Sequence, residues 1–287
     1  MNHNNIPWRI ANSLLGLGSR PELMGIVNCT PDSFFDGGRH NSCDAAWEHA
    51  LQLLEEGATI LDIGGESSRP GAEMVSVEEE IQRVLPVIER LAQLQKERRF
   101  FISIDTVKAS VASAAIAAGA QIVNDISMTR LDPDMAQLIA ATGVSVVLNH
   151  MRGDPRSMQV APHFDDVVAE VKAELLQAAH SLEALGVSSA KICLDPGIGF
   201  GKRFEDNYAL IGRAREFHDL GYPLLFGMSR KSYIGRTPGL EQSDRLIPSV
   251  VSAVMVAQQG VCVLRVHDVA ATREAMVMLG ALGGNRQ

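Results

Sequence analysis

The sequence predicts an α/β fold, a single-domain (β/α)₈ TIM barrel, and three observations carry that prediction. Eight apolar runs rich in β-branched residues recur along the 287 residues. Each is followed by a helical pattern, and strands alternating with helices in one direction close into a parallel barrel. Nearly every run also ends on a polar or charged side chain: Asn28, Glu66, Asp105, Asn124 with Asp125, Asn149 with His150, Asp195, Ser229-Arg230-Lys231, and Arg265 with His267. A strand buried on both faces has no structural need for charge at its carboxyl end, so this regularity describes an active-site rim.

In chain order, strands are expected at 23–28, 59–64, 100–105, 121–124, 145–149, 192–195, 224–227 and 261–266. The helices between and after them are expected at about 43–56, 77–97, 108–118, 133–141, 165–185, 206–218, 244–259 and 269–279. Over 165–185, Val167, Val168, Val171, Leu175, Ala178, Ala179 and Leu182 recur at helical spacing and give one inward stripe. Gly57, Gly119, Gly143, Gly186 and Gly221 each follow a helical pattern, and the next strand begins within a few residues. Short returns at one end leave the long loops, 29–42 and 65–76, at the other. Residues 1–20 are expected as an N-terminal extension and 21–287 as the barrel.

With 46 % apolar residues the chain can bury one large core. A net charge of −8 argues against non-specific binding to nucleic acid or acidic membrane, while leaving room for a local anion site. The cysteines at 29, 43, 193 and 262 lack metal-binding or redox spacing and read as reduced thiols of a cytoplasmic protein. The most apolar stretch, 250–266, is interrupted by Gln258, Gln259 and Arg265, so no membrane span is expected.

The motifs carry the chemistry. Residues 28–38 combine oxygen ligands, glycines and two phenylalanines after strand one, the makings of a mobile lid. Residues 64–71 place Ser67, Ser68 and Arg69 on a glycine-flanked loop, and a guanidinium there suits bidentate phosphate recognition. Asp105, Asn124 and Asp195 should converge in the barrel mouth, offering acceptors and a donor to a planar heterocycle with amino and ring N–H groups. Residues 195–202 carry three alternating glycines before Lys202 but lack the P-loop spacer, which leaves Phe200 free to pack on a ring. Lys231, Arg265 and His267 end strands seven and eight, the usual phosphate-binding quarter of this barrel. From chemistry alone a Schiff-base lysine is the runner-up reading of Lys231, and a core histidine is the alternative for His150.

Taken in order, residues 28–38, 64–72, 104–106, 123–126, 149–153, 194–202, 227–235 and 265–269 resemble the dihydropteroate synthase family. That resemblance implies a transferase of folate biosynthesis, the sulfonamide target, which joins 4-aminobenzoate to 7,8-dihydropterin-6-ylmethyl diphosphate and releases pyrophosphate. It implies that Asp105, Asn124, Asp195 and Lys231 hold the pterin, with Met151 and Phe200 lining that region. Asn28, Arg69, Arg265 and His267 would hold the diphosphate, and Asn28 with Asp36 would place Mg²⁺. Ser68, Pro70, Phe200 and Ser232 would shape the aminobenzoate site. The catalytic set implied is Asn28, Asp105, Lys231, Arg265 and His267, in a homodimer built on the apolar last helices. Ser68, Asp154 and Pro248 depart from the family pattern, and Pro248 leaves the start of the seventh barrel helix open. A pterin-binding homologue without synthase activity and a folate-binding methyltransferase module are the alternatives; the latter would not need Arg69, 229–232 or Arg265 with His267.

Overall fold

A computed structural model describes residues 6–18, 20–30, 39–67, 75–154 and 157–283, with backbone alone for 39–42. After a short hairpin, β1 (Trp8–Ile10) and β2 (Ser13–Leu15), the described residues form eight parallel strands. These are β3 (Glu22–Asn28), β4 (Ile60–Gly64), β5 (Phe101–Asp105), β6 (Ile122–Asp125), β7 (Ser145–Asn149), β8 (Ile192–Asp195), β9 (Leu225–Phe226) and β10 (Val263–Val266). They neighbour one another in the order β8-β7-β6-β5-β4-β3-β10-β9. A parallel bridge between Leu194 and Leu224 joins the two outer strands and closes the barrel. The fold expected from the sequence is therefore the fold observed.

Helices α1 (Arg39–Glu56), α2 (Val77–Leu94), α3 (Ala109–Ala118), α4 (Met135–Thr142) and α5 (Val167–Ala184) surround the first strands. Their beginnings follow local chemistry. Ser76 caps α2 by accepting from the Glu79 N–H at 3.1 Å, and Glu78, Glu79 and Glu80 complement the positive end of the helix. Asp166 caps α5 by accepting from Val168 and Ala169. Helix α6 (Phe204–Gly212) is shorter than its apolar pattern and tightens into a 3₁₀ segment at Ala214–Leu220. A one-turn helix, α7 (Ser232–Gly235), follows β9 and was not visible in the periodicity, which needs several turns to register. Helices α8 (Leu246–Ala257) and α9 (Val269–Leu282) complete the ring. Pro248 falls on the third residue of α8, where an N–H has no intrahelical acceptor, so the proline costs the helix no bond.

Alternate residues of each strand face opposite sides. Leu61, Ile63, Ile102, Ile104, Val123 and Val146 pack outward with the helices in the main core. Met24, Ile60, Phe101, Ile122, Val147 and Cys193 face inward at the amino end, where Trp8, Ile10 and Leu15 of the hairpin join them. The hairpin is thus the barrel's floor. Trp8 donates its indole N–H to the Lys191 carbonyl at 3.0 Å, and Ser145 donates to the Arg9 carbonyl at 2.8 Å.

Candidate functional site

Two residues beyond the floor layer, the same inward face turns polar. Ile60 is followed inward by Asp62, Phe101 by Ser103 and then Asp105, Ile122 by Asn124, Val147 by Asn149, Cys193 by Asp195, and Val263 by Arg265. Because strand side chains alternate, these groups share the barrel interior and rise toward the mouth formed by the carboxyl ends. Asp62 and Ser103 are fully buried, and Asn124, Asn149 and Asp195 nearly so. Asn28 ends β3 in register with Gly64, which pairs with Asp105, which in turn pairs with Asn124.

Arg265 organises the centre. Its Nε donates to Asp62 Oδ2 at 2.6 Å and its Nη2 to Asp105 Oδ2 at 2.7 Å, while Asn124 Nδ2 donates to Asp62 Oδ2 at 2.9 Å. Among the described residues, four buried polar atoms on this inward face have no protein partner: Asp62 Oδ1, Ser103 Oγ, Asn124 Oδ1 and Asn149 Oδ1. Buried polar groups are normally satisfied because each orphan costs about 1–3 kcal/mol, so such a concentration marks a place built for a polar ligand.

Burial sets the protonation states. It pushes Asp105 up to about 7 against the pull of Arg265, and it raises Asp195 against the pull of Lys231. Burial also lowers Lys231 to about 8, with Asp195 opposing, and lowers His267 to about 4, assisted by the Arg265 charge. His267 is therefore a neutral ring near pH 7, its Nδ1 3.0 Å from the Ser229 hydroxyl. For Arg265, burial is outweighed by Asp62 and Asp105, which hold it firmly charged.

One wall of the mouth is apolar. Met151 and Phe200 pack with Ile126 and Met158. The Lys231 ammonium lies 4.4 Å over the Phe200 ring and donates to the Ile198 carbonyl. Ser232, at the first turn of α7, is exposed beside it. Asp195 accepts from the Gly197 N–H at 2.8 Å, which leaves its other oxygen, Oδ2, beside Gly227.

Asn28, Asp105, Asn124, Met151, Asp195, Phe200, Lys231, Ser232, Arg265 and His267 thus lie at the carboxyl end of the barrel. Asp36, Ser68, Arg69 and Pro70 fall outside the described residues, as does most of the expected lid. Three other strand-end groups serve the scaffold. Asp125 braces its own turn by accepting from Ser127 and Thr129, Glu66 pairs with Lys108, and His150 is buried against Lys202 and Glu174. Sequence reasoning missed Asp62 and Ser103, whose signal was a lone polar residue in an apolar strand, Ile60-Leu61-Asp62-Ile63 and Phe101-Ile102-Ser103-Ile104. Among the described residues, no group of three or more His, Cys, Asp or Glu could hold a metal ion. No described helix is long and apolar enough to cross a membrane.

Comparison with known proteins gives this geometry its family. Residues 24–267 match the model of the pterin binding enzymes. Dihydropteroate synthase of Escherichia coli strain K12 is 49 % identical over 265 residues, covering 92 % of this chain and 92 % of that protein. The Xanthomonas albilineans dihydropteroate synthase solved with 4-aminobenzoic acid superposes with a TM-score of 0.88 at 44 % identity, covering 99 % of this chain and all of that one. The same enzyme has also been solved with 7,8-dihydropteroate. A Yersinia pestis dihydropteroate synthase in complex with a sulfonamide drug matches at a TM-score of 0.88 and 44 % identity, over 96 % of this chain and 99 % of that one. Matched over nearly its full length in sequence and in fold, the chain belongs to the pterin-binding enzymes, in the dihydropteroate synthase family.

Proposed function

We propose that the mouth binds 7,8-dihydropterin-6-ylmethyl diphosphate and transfers its pterin methylene to the amine of 4-aminobenzoate, giving 7,8-dihydropteroate and pyrophosphate. The observation that carries this reading is the group of unpartnered acceptors beneath the mouth, flanked by Asp195 and Asp105. A pterin presents amino and ring N–H donors in one plane, which such acceptors would satisfy. Asp105, Asn124, Asp195 and Lys231 would hold that ring, with Met151 and Phe200 against its face. Arg265 uses two of its five N–H groups on Asp62 and Asp105, so others remain to meet diphosphate oxygens at the rim with Asn28, Arg69 and His267.

In the reaction, the carbon–oxygen bond to the diphosphate breaks, a carbon–nitrogen bond forms to the aniline nitrogen, and that nitrogen sheds a proton. Asp105 and Asp195 stabilise positive charge developing on the pterin, while Arg69 and Arg265 stabilise the departing diphosphate. His267, a neutral ring in the unliganded protein, would contribute a hydrogen bond to the diphosphate oxygens. Ser68, Pro70, Phe200 and Ser232 would place 4-aminobenzoate.

Mg²⁺ fits the donor chemistry, since that ion keeps several waters and binds through one or two side chains plus substrate phosphates rather than in a protein cage. Asn28 at the rim, with Asp36, would hold it, and when bound it would neutralise charge on the diphosphate. The homodimer reading is supported by exposed Ile247, Val251 and Met255 on α8 beside Val277, Met278 and Leu282 on α9. A cytoplasmic location fits the reduced cysteines. The test is pyrophosphate release: turnover that requires both the pterin diphosphate and 4-aminobenzoate supports the synthase, whereas pterin binding without release supports the silent homologue.

A further inference from the structure

Beside the apolar wall lies a buried lysine that the reaction does not use, its pKa pulled well down by burial against the Asp195 charge. Lys202 is 3 % exposed, and its Nζ lies 2.8 Å from His150 Nδ1, 3.0 Å from the Phe200 carbonyl and 3.4 Å from the His150 carbonyl. The hydrogen bond from His150, with Arg152, holds Glu174 down at about 2, and an ionised carboxylate can only accept, so in a neutral His150 ring Nδ1 is the atom that accepts from Lys202. The ring proton then sits on Nε2 and donates to Glu174 Oε2 at 2.9 Å. Burial, with the Lys202 charge, lowers His150 to about 4 and keeps that ring neutral, as this tautomer requires. Arg152, 3.9 Å over the Phe164 ring, pairs with the same Glu174.

The acceptors belong to two segments that touch backbone to backbone. Gly197 and Gly201 have positive φ of 70° and 62°, and a Cβ at either would collide with the carbonyl oxygens of His150 and Arg152. Lys202 therefore ties the glycine loop to the end of β7. That loop faces the mouth, where Lys231 donates to the Ile198 carbonyl and covers the Phe200 ring. Two lysines thus hold the loop's carbonyls, Lys202 that of Phe200 and Lys231 that of Ile198. Stability alone does not call for such a group, since an apolar side chain of similar volume often replaces a buried ion without loss.

We propose that Lys202, oriented through His150 and Glu174, is a positioning residue that fixes Phe200 and Lys231 against the substrate's ring. This rests on reading the mouth as a pterin site. The experiment compares the full-length wild type with Lys202→Met, by calorimetry with pterin-6-carboxylate and separately with inorganic pyrophosphate, alongside thermal unfolding. Lys202→Met should weaken pterin-6-carboxylate by about tenfold or more and change pyrophosphate affinity by less than about twofold. The paired variants His150→Leu and His150→Gln read the clamp more gently, and decide the matter if Lys202→Met does not fold. Leucine removes the acceptor and should weaken the pterin alone, whereas glutamine, which can accept from Lys202 and donate to Glu174, should restore it. Parallel loss of both ligands with a lowered melting point, or unchanged pterin affinity in the folded variants, overturns the clamp. A wild type that binds no pterin overturns the reading of the mouth instead, and the clamp with it.

Discussion

The two ends of the barrel are made by the same strands and have opposite characters. At the floor, Met24, Ile60, Phe101, Ile122, Val147 and Cys193 are sealed by Trp8, Ile10 and Leu15 of the hairpin. Two residues along the same inward face stand Asp62, Ser103, Asn124, Asn149 and Asp195, several with polar atoms left unpartnered. The floor gains stability from every contact it makes. The mouth gives stability up, because acceptors aimed at a ligand cannot also be spent on the protein.

The largest effect expected from breaking the contrast is at Asp195. Asp195→Asn keeps the shape but turns one acceptor into a donor facing the substrate's donors, and sites built around substrate N–H groups discriminate by about 10⁴-fold. A folded Asp195→Asn protein with normal turnover would refute its assignment.

Next comes the floor. Trp8→Ala should cost about 3–5 kcal/mol, through the cavity left and the lost bond to Lys191. The Michaelis constants of the fraction that stays folded should not move, so urea denaturation and kinetics must diverge. A changed pterin constant would mean the two ends are coupled.

A pH series sharpens the comparison further. Burial lowers His267 from 6.5 to about 4, so the folded protein binds this proton less readily than the unfolded chain does. The stability due to the neutral ring is present above pH 6.5 and lost as pH falls toward 4. The denaturation midpoint of the wild type, minus that of His267→Asn, should accordingly shrink over that window; a difference that grows on acidification contradicts the assignment.

The smallest effect has the opposite sign from the floor's. Ser103→Ala removes a buried hydroxyl without a partner and should raise stability by about 1 kcal/mol while weakening pterin binding. Destabilisation on that substitution would show that Ser103 serves the fold.

Much of this was legible in the chain. The alternation of apolar runs and helical patterns specified the barrel, and the endings at Asn28, Asp105, Asn124, Asp195, Lys231, Arg265 and His267 gave the mouth, since a parallel barrel has only one end where strands finish. Strand limits such as 145–149 and 192–195 coincide with β7 and β8 because turn residues bound them tightly. The hairpin could not be read, for two three-residue strands are too short to show a period, and Trp8 and Ile10 resemble any apolar scatter.

What the sequence determined by itself was which residues end the strands; what only the tertiary structure decided was which way each one points. In a strand covered on both faces, period-two hydrophobicity is lost, so Asp62 and Ser103 could be placed inside only once the register β3-β4-β5-β6 was known. Asp125 and Asn124 are adjacent and equally polar, yet one bonds Asp62 in the interior and the other braces a turn. The reason is that closing the sheet gives each position one inward or outward direction, and the partners that then meet, Arg265 with Asp62 or Lys202 with His150, lie far apart along the chain.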